Sequence, residues 1–218
     1  MRYFVSDPHF GHYSESTNRG IITFERTQFD TIQEHDSWVR EMFIQLAEKV
    51  KPRDEVWVLG DWGDTNALWV MGLFNCKTFF VYGNHDAAAD IEKFKIYFDE
   101  VYQYPVYLSN KLVVSHIPVA VFDDQINVHG HLHGAVLDSP NYICCSVHVA
   151  NYKPITDQHI NGQFAKLPKY DRRFLWEPFA HMMKFFQERE DVVMNRDGLI
   201  DLSASRLLQK LNKEKEKK

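Results

Sequence analysis

Five short stretches of the chain carry side chains that bind metal ions, and each follows an apolar run that is typical of a buried strand. The seven candidate ligands in these stretches are Asp7, His9, Asp61, Asn84, His116, His131 and His133. Imidazole, carboxylate and amide groups without a thiolate favour Mn, Fe, Zn, Ni or Co over Ca or a structural zinc site. Seven ligands are too many for one such ion. They therefore predict two ions, about 3.5–4 Å apart, that clamp a displacement at phosphorus.

The spacing within the stretches supports a shared site. Asp7 and His9 are two residues apart, as are His131 and His133, and such residues lie on the same face of an extended segment. Gly83 ends a predicted strand and permits a sharp turn before the next candidate ligand. Any one fragment also occurs in ordinary surface loops, where an aspartate caps a turn. The prediction therefore depends on the five stretches taken together.

The first half of the chain alternates strands with helices. Strands are predicted at residues 2–6, 55–59 and 78–82, and helices after a capping box at residues 30–33, at residues 65–74 and at residues 88–98. This order favours parallel strands joined by helical crossovers. Residues 13–29 are predicted to be irregular. His35 is predicted to be a solvated side chain in the first turn of its helix, and Asp64 stands at a helix N-cap position.

The second half of the chain is rich in strands. Short strands are predicted at residues 105–108, 111–115, 126–129 and 141–149, with helices at residues 156–165, 179–190 and 202–218. An α/β first half followed by a strand-rich second half predicts two sheets packed face to face, with helices outside. Residues 166–218 are predicted to form a helical C-terminal extension that follows a domain of residues 1–165.

Composition narrows the class of protein. The chain has 218 residues, 44% of them hydrophobic, with a formal charge of −5. These values predict a soluble globular protein of one domain, or of one domain with an appendage. No apolar run is long enough to cross a membrane, and the first motif begins too early for a cleavable signal to precede it. Three cysteines make no disulfide framework, so we expect a reducing, cytoplasmic location.

The five motifs resemble those of the calcineurin-like metallophosphoesterase superfamily and occur in the family's order. They are Asp7-Pro8-His9, Gly60-Asp61-Trp62-Gly63-Asp64, Gly83-Asn84-His85-Asp86, His116 and Gly130-His131-Leu132-His133. The resemblance covers about residues 1–155, and Phe10-Gly11-His12 is similar to an extension found in a small subgroup from bacteria and their viruses. It implies a four-layer α-β-β-α sandwich of two mixed sheets, with a dinuclear metal site at the strand ends.

The resemblance also implies how the ligands divide between the two ions. One ion would be held by Asp7, His9 and His133, and the other by Asn84, His116 and His131. Asp61 would bridge them, and a hydroxide on the metals would attack phosphorus. The family uses divalent ions such as Mn, Fe, Zn or Ni, and we expect manganese.

Two further histidines and an aspartate are candidates for protonating or contacting the substrate. The resemblance places His85 beside the metals, where it would protonate the leaving oxygen while Asp64 orients its ring. His12 lies in a loop close to the predicted ions, so His12 and Asn84 are candidates for contacting the phosphate.

Three functions are compatible with these residues. The first is hydrolysis of a phosphodiester or phosphomonoester, small nucleotides included. The second is a nuclease with the same site, which needs a basic track along the nucleic-acid backbone. Lys166, Lys169, Arg172 and Arg173 cluster, but the net charge of the chain is negative and does not indicate nucleic acid. The third is a catalytically silent interaction module, although no motif residue is missing.

The predicted C-terminal extension contains many aromatic residues, among them Phe174, Trp176 and Phe179. A solvated linker does not carry so much apolar surface. We expect the extension to pack against its own catalytic domain or to form a homodimer through its helices.

Overall fold

The computed structural model describes residues 1–167, which form a mixed α/β fold. Within these residues the strands and α-helices are, in chain order, β1 (Arg2–Val5), β2 (Tyr13–Ser14), β3 (Arg19–Gly20), α1 (Ile21–Phe24), α2 (Ile32–Lys49), β4 (Glu55–Val58), β5 (Lys77–Val81), α3 (Ile91–Tyr97), β6 (Glu100–Tyr102), β7 (Val106–Ser109), β8 (Leu112–Ser115), β9 (Ile126–His129), β10 (Tyr142–Cys144), β11 (Ile155–Thr156) and α4 (Asp157–Phe164). Two 3-10 helices span Thr65–Leu73 and Ala88–Asp90.

The first sheet has the strand order β11-β1-β4-β5-β6. Strands β1, β4, β5 and β6 run parallel, and β11 pairs with β1 in the antiparallel direction. Helix α2 lies between β1 and β4 in the chain, the longer 3-10 helix between β4 and β5, and α3 between β5 and β6. Because parallel strands present their carboxyl ends at one edge, the loops that follow β1, β4 and β5 are brought together there.

The second sheet has the strand order β10-β9-β8-β7. Strands β8, β9 and β10 run parallel, and β7 pairs with β8 in the antiparallel direction. The two sheets meet at the carboxyl end of β1, where Ser6 N–H donates to Cys145 O at 3.1 Å and Val147 N–H donates to Ser6 O at 3.0 Å. These bonds bring the loops of the second sheet to the same edge of the molecule as those of the first.

The core between the sheets is built by alternate residues of the strands. The first sheet contributes Phe4, Trp57, Leu59, Phe79 and Val81, and the second contributes Leu112, Val114, Ile126, Val128 and Ile143. The opposite face of the first sheet packs under α2, α3 and the longer 3-10 helix through Val5, Val56, Val58 and Phe80. The first sheet is thus buried on both faces, which explains why its strands are almost continuously apolar.

The structure differs from the sequence prediction mainly in the short elements. Residues 13–29, predicted to be irregular, contain the β2–β3 hairpin and α1. Strands β6 and β11 were not predicted, and the strand expected at residues 141–149 is only Tyr142–Cys144. Strands of two or three residues are too short to show the period-two alternation by which a strand is recognised.

The longer elements agree with the prediction. Helix α2 begins after Thr31, whose side chain accepts a hydrogen bond from Glu34 N–H, one residue later than the proposed cap at Asp30. Strand β9 has its predicted bounds. None of the helices within residues 1–167 combines the length and apolarity that a membrane span requires. The four-layer arrangement and the domain boundary stay predictions, and the helices proposed at residues 179–190 and 202–218 lie outside the described residues.

Candidate metal centre

The loops that follow β1 and β4 are joined by backbone hydrogen bonds. Asp7 N–H donates to Gly60 O, and His9 N–H donates to Asp61 O, both at 3.0 Å. These two bonds continue the pairing of the parallel strands beyond the sheet. They hold the candidate ligands of the first two motifs in a fixed register.

Two groups of candidate ligands meet at this edge, and they share one residue. The first group, whose ligand atoms all lie within 4.8 Å of one another, consists of Asp7, His9, Asp61 and His133. The second group, by the same measure, consists of Asp61, His116 and His131. Each group contains residues that the resemblance assigned to the same ion, and the shared residue is the one that it assigned as the bridge.

The carboxylate of Asp61 lies at the junction of the two groups and is fully buried. Its Oδ1 accepts a hydrogen bond from His85 N–H at 2.9 Å. Its Oδ2 has no hydrogen-bond partner among the described residues, although it lies 3.5 Å from His9 Nε2 and 3.3 Å from His116 Nε2. A buried carboxylate oxygen without a donor is costly unless a positive charge lies beside it. This oxygen therefore fits a bridging contact to cations.

In the second group the ring nitrogens of His116 and His131 both lie close to Asn84 Oδ1. His116 Nδ1 donates to Leu59 O at 2.8 Å, so in the neutral ring Nε2 is the nitrogen available as a metal ligand. Asn84 Oδ1 lies 2.9 Å from His116 Nε2 and 2.8 Å from His131 Nδ1, so Asn84 joins this group. In their unprotonated form these ring nitrogens, with Asn84 Oδ1, form a set of donor atoms that fits a cation.

The first group is kept in the protonation state that metal binding requires. His9 Nε2 and His133 Nε2 lie 3.0 Å apart. Burial lowers the pKa of His9 to about 2 and also lowers the pKa of His133, so both rings are neutral near pH 7. Burial raises the pKa of Asp61, but the neighbouring His116 and the backbone N–H of His85 outweigh it and bring this pKa to about 2. His9 and His133 are thus neutral beside an ionised carboxylate, whereas burial lowers the pKa of His116 but its contact with Asp61 outweighs burial and raises it.

The backbone at the candidate ligands is strained. Within residues 1–167, eight residues other than glycine have a positive φ, and five of them are the candidate ligands Asp7, His9, Asp61, His131 and His133. The left-handed region costs a side chain-bearing residue about 1–3 kcal/mol when the structure forces it. Such conformations persist where the surrounding contacts over-determine them, which is typical of functional sites.

Glycines permit the close approach of these loops. A Cβ on Gly83 would lie 2.2 Å from Asp61 Oδ1, and a Cβ on Gly130 would lie 2.5 Å from Ser6 Oγ. No side chain fits at either distance. The glycines of the third and fifth motifs are therefore required by packing of backbone against the bridging carboxylate and against the loop that precedes Asp7.

The carboxylate of Asp86 joins the loops after β4 and β5. It accepts hydrogen bonds from Asp61 N–H at 2.9 Å, Trp62 N–H at 2.9 Å and Gly83 N–H at 2.8 Å. Burial raises the pKa of Asp86, while these three donors act in the opposite direction. Asp86 thus holds the bridging residue without belonging to either group of ligands.

The buried guanidinium of Arg26 holds the loop after β1. It is fully buried and donates to the carbonyl oxygens of Asp7 and Pro8 and to His35 Nε2. The carbonyls it binds belong to the strained turn that carries Asp7 and His9. A single arginine in a segment predicted to be irregular gave no sequence signal for this role, so the sequence analysis missed it.

His35 extends this network, and the prediction that it is solvated is wrong. His35 is fully buried, because Arg26 and Phe29 fold back over the first turn of α2. Its Nδ1 lies 2.9 Å from Asp36 Oδ1, and Asp36 Oδ2 accepts from Gly11 N–H at 2.9 Å. The contacts that link Arg26, His35, Asp36 and Gly11 thus support both sides of the first motif.

His85 and His12 lie next to the first group of ligands. The ring centroid of His85 is 5.5 Å from that of His9 and 5.3 Å from that of His12. His12 Nδ1 lies 3.1 Å from His9 Nδ1. His85 is exposed and His12 is partly exposed. Both rings are therefore placed to reach a molecule bound over the metal centre.

The predicted contact between Asp64 and His85 is not found among the described residues. Asp64 instead caps the 3-10 helix Thr65–Leu73, and its Oδ1 accepts from Asn66 N–H at 2.9 Å. Its backbone N–H donates to Phe10 O at 2.7 Å. Asp64 thus fixes the loop after β4 through one carboxylate oxygen, and its proposed role in orienting His85 stays a prediction.

Comparison with known proteins agrees with this geometry. A family model described as calcineurin-like phosphoesterase matches residues 3–176. Among solved structures, a protein of unknown function from Aquifex aeolicus superposes with a TM-score of 0.56 at 24% sequence identity, covering 74% of this chain and 98% of that protein. At this level of identity the superposition supports the fold alone. No curated protein matches the chain.

The two groups of ligands predict two ions per chain. Elemental analysis of protein saturated with Mn²⁺ or Zn²⁺ and freed of excess metal should give two ions for the natural sequence. His133→Ala should retain about one, because His133 belongs to the first group alone. His159→Ala, at an exposed histidine in α4, serves as the matched control and should retain two. A single ion at saturation in the natural sequence would contradict the paired site.

The Arg26 network predicts that metal affinity depends on a residue that is not a ligand. Arg26→Lys keeps the positive charge but cannot reach two carbonyls and His35 together. Calorimetric titration of the metal-free protein should show a dissociation constant about 10–100-fold higher, the usual cost of losing support behind a ligand. Arg53→Lys, at an exposed arginine, is the control. Unchanged affinity in a folded Arg26→Lys protein would remove Arg26 from this role.

Proposed function

Because the chain belongs to the calcineurin-like phosphoesterase family, we propose that it is a phosphodiesterase that acts on small, nucleotide-type phosphoesters. Membership supports metal-dependent hydrolysis of phosphoesters, and the two groups of ligands that share Asp61 fit that chemistry. One observation supports the preference for a diester, namely that a separate groove leads away from each of the two groups of ligands.

The first groove, called here the Phe24 groove, starts at the first group of ligands. It has a volume of about 630 Å³, and the lining residues that matter here are His12, Tyr13, Arg19, Phe24, Glu25 and His133. The second, called the Tyr104 groove, starts at the second group. It has a volume of about 270 Å³ and is lined by Asn84, Tyr104, His116 and Ile117 among others. A phosphodiester carries two organic substituents, and the two grooves offer a place for each.

The charge of the grooves favours a small substrate over a nucleic acid. Arg19 and Glu25 are the only charged residues that line the Phe24 groove in the described part of the chain. The Tyr104 groove has no lysine, arginine, aspartate or glutamate among its described lining residues. A polynucleotide backbone is bound through several phosphate contacts to basic residues. The nuclease alternative therefore finds no support in these two grooves.

Several residues of the chain have separate roles in the proposed reaction. When bound, divalent ions activate a water near neutral pH and offset the charge of the phosphoryl group. Asp61 holds its carboxylate between both groups of ligands, and Asn84 and His12 lie where a phosphate oxygen is within reach. Imidazole, carboxylate and amide ligands are compatible with Mn, Fe, Zn, Ni or Co, and among these we propose Mn²⁺ as the preferred ion, as expected from the family.

His85 is the proposed proton donor to the leaving oxygen. It is exposed beside His12 and His9, and its backbone N–H is tied to Asp61 Oδ1 at 2.9 Å. This bond fixes the main chain of His85 relative to the bridging carboxylate. The ring is consequently kept close to the metal centre while its nitrogens stay free of the two groups of ligands.

The proposed function is tested with two chromogenic substrates. Protein loaded with Mn²⁺ should hydrolyse bis-p-nitrophenyl phosphate with a higher kcat/KM than p-nitrophenyl phosphate. Chelation should abolish both activities, and Mn²⁺ should restore them. Asp61→Ala, purified in parallel, controls for contaminating enzymes. A higher kcat/KM for the monoester would overturn the preference for diesters, and efficient cleavage of plasmid DNA or RNA would favour the nuclease alternative.

The proposed role of His85 predicts a dependence on the leaving group. His85→Asn should lower the rate on a dinucleotide, whose leaving group is a sugar hydroxyl, by about 10²–10⁴-fold. The loss should be much smaller with methyl p-nitrophenyl phosphate, because p-nitrophenolate leaves without protonation. Metal content should stay near that of the natural sequence, and His159→Asn should change neither rate. Equal losses on both substrates would exclude His85 as the donor.

A further inference from the structure

The Phe24 groove has a wall that does not belong to any of the five motifs. The wall consists of the β2–β3 hairpin and α1, and the groove reaches the metal centre at His12 and His133. A molecule whose phosphate lies over the first group of ligands therefore has direct access to this groove.

The wall is fixed in position relative to the metal centre. Ile21 N–H donates to His12 O at 3.0 Å, and a Cβ on Gly20 would lie 2.3 Å from the same oxygen. Ile21, Ile22 and Phe29 form a small core of their own beneath the wall. The hairpin and α1 thus present a preformed surface beside His12.

The last residue of α1 is an aromatic side chain turned away from that core. Phe24 is 67% exposed, whereas Ile21 and Ile22 of the same helix are 3% and 8% exposed. An isolated exposed aromatic residue is ordinary in a folded protein. Phe24 differs because it lines a groove that continues into the metal centre, together with the ring of Tyr13.

The charges of the groove favour a neutral occupant. Arg19 and Glu25 carry opposite charges, and no other charged residue lines the groove in the described part of the chain. A second phosphate group would meet a carboxylate as well as a guanidinium. A flat, uncharged group with polar edges, such as a nucleobase, gains from an aromatic face and from both polar side chains.

We propose that the Phe24 groove binds the base of a nucleotide-type substrate, with the base stacked on the ring of Phe24. This inference rests on the proposed function. It states which substituent of the substrate occupies the Phe24 groove. Phe24 then determines specificity through contact with the substrate and takes no part in the chemical step.

The experiment measures binding, so that it does not depend on turnover. Protein loaded with Mn²⁺ is titrated in a calorimeter with thymidine 5′-monophosphate, ribose 5-phosphate and methyl phosphate. The nucleotide should bind more tightly than the two phosphates that lack a base. Phe24→Ala should raise the dissociation constant of the nucleotide about ten-fold, as expected for loss of one base–aromatic stack, and leave the other two unchanged. Phe24→Trp should restore tight binding.

Two matched variants locate the base. Tyr104→Ala removes the exposed aromatic ring of the second groove, and Phe122→Ala removes one that lines neither groove. Both should leave nucleotide binding unchanged. A weakening by Tyr104→Ala alone would move the base to the other groove and overturn the proposal. A weakening of all three ligands by Phe24→Ala would also overturn it, because the effect would not concern the base.

The design separates this inference from the proposed function. Because Phe24 is exposed, its truncation opens no cavity, and an unchanged thermal unfolding temperature verifies the fold of each variant. If the natural sequence binds the nucleotide through Phe24 but hydrolyses no diester, the groove assignment stands and the proposed function fails. If it hydrolyses diesters but binds the three ligands equally, the proposed function stands and the groove assignment fails.

Discussion

The buried carboxylate of Asp61 sets the constraint on which the rest of the structure depends. One of its oxygens accepts a backbone hydrogen bond, and the other has no donor among the described residues, yet both His9 and His116 direct a ring nitrogen toward it. A buried carboxylate oxygen needs a positive charge beside it, which cations held by the two groups of ligands would supply. The strands, their loops and the surrounding polar contacts serve to hold this arrangement of acceptors in place.

Holding it requires the chain to adopt conformations that it would otherwise avoid. Five of the seven candidate ligands have a positive φ, at about 1–3 kcal/mol each. Three features offset this cost and pin the loops. Backbone hydrogen bonds continue the pairing of β1 and β4 into the motifs, Asp86 accepts three backbone N–H groups across the loops after β4 and β5, and Arg26 binds the carbonyls of the first loop. A rigid, preorganised centre is the result, and the glycines permit its close packing.

The sequence by itself determined the candidate site and the α/β framework. Ligand chemistry is a property of residue types, and strand ends are marked locally by an apolar run followed by glycine or a polar residue, as at Gly60-Asp61 and Gly83-Asn84. Because parallel strands deliver their carboxyl ends to one edge, five separate stretches were enough to predict a common site. The long helix α2 was equally predictable from the sequence, because its apolar residues recur with a helical period over Ile32–Lys49.

Only the tertiary structure decided what supports and surrounds that site. Arg26 lies in a segment predicted to be irregular, and His35 was predicted to be solvated, yet both are buried. Arg26 binds carbonyls of the loop after β1, and Arg26 and Phe29 fold back over His35. Asp64 caps the helix that follows it, and spacing along the chain could not distinguish this contact from one with His85. The β2–β3 hairpin and α1, which form the wall of the Phe24 groove, are too short to show a period. Their conformation comes from contacts with His12 and with their own small core, and such contacts exist only once the chain is folded.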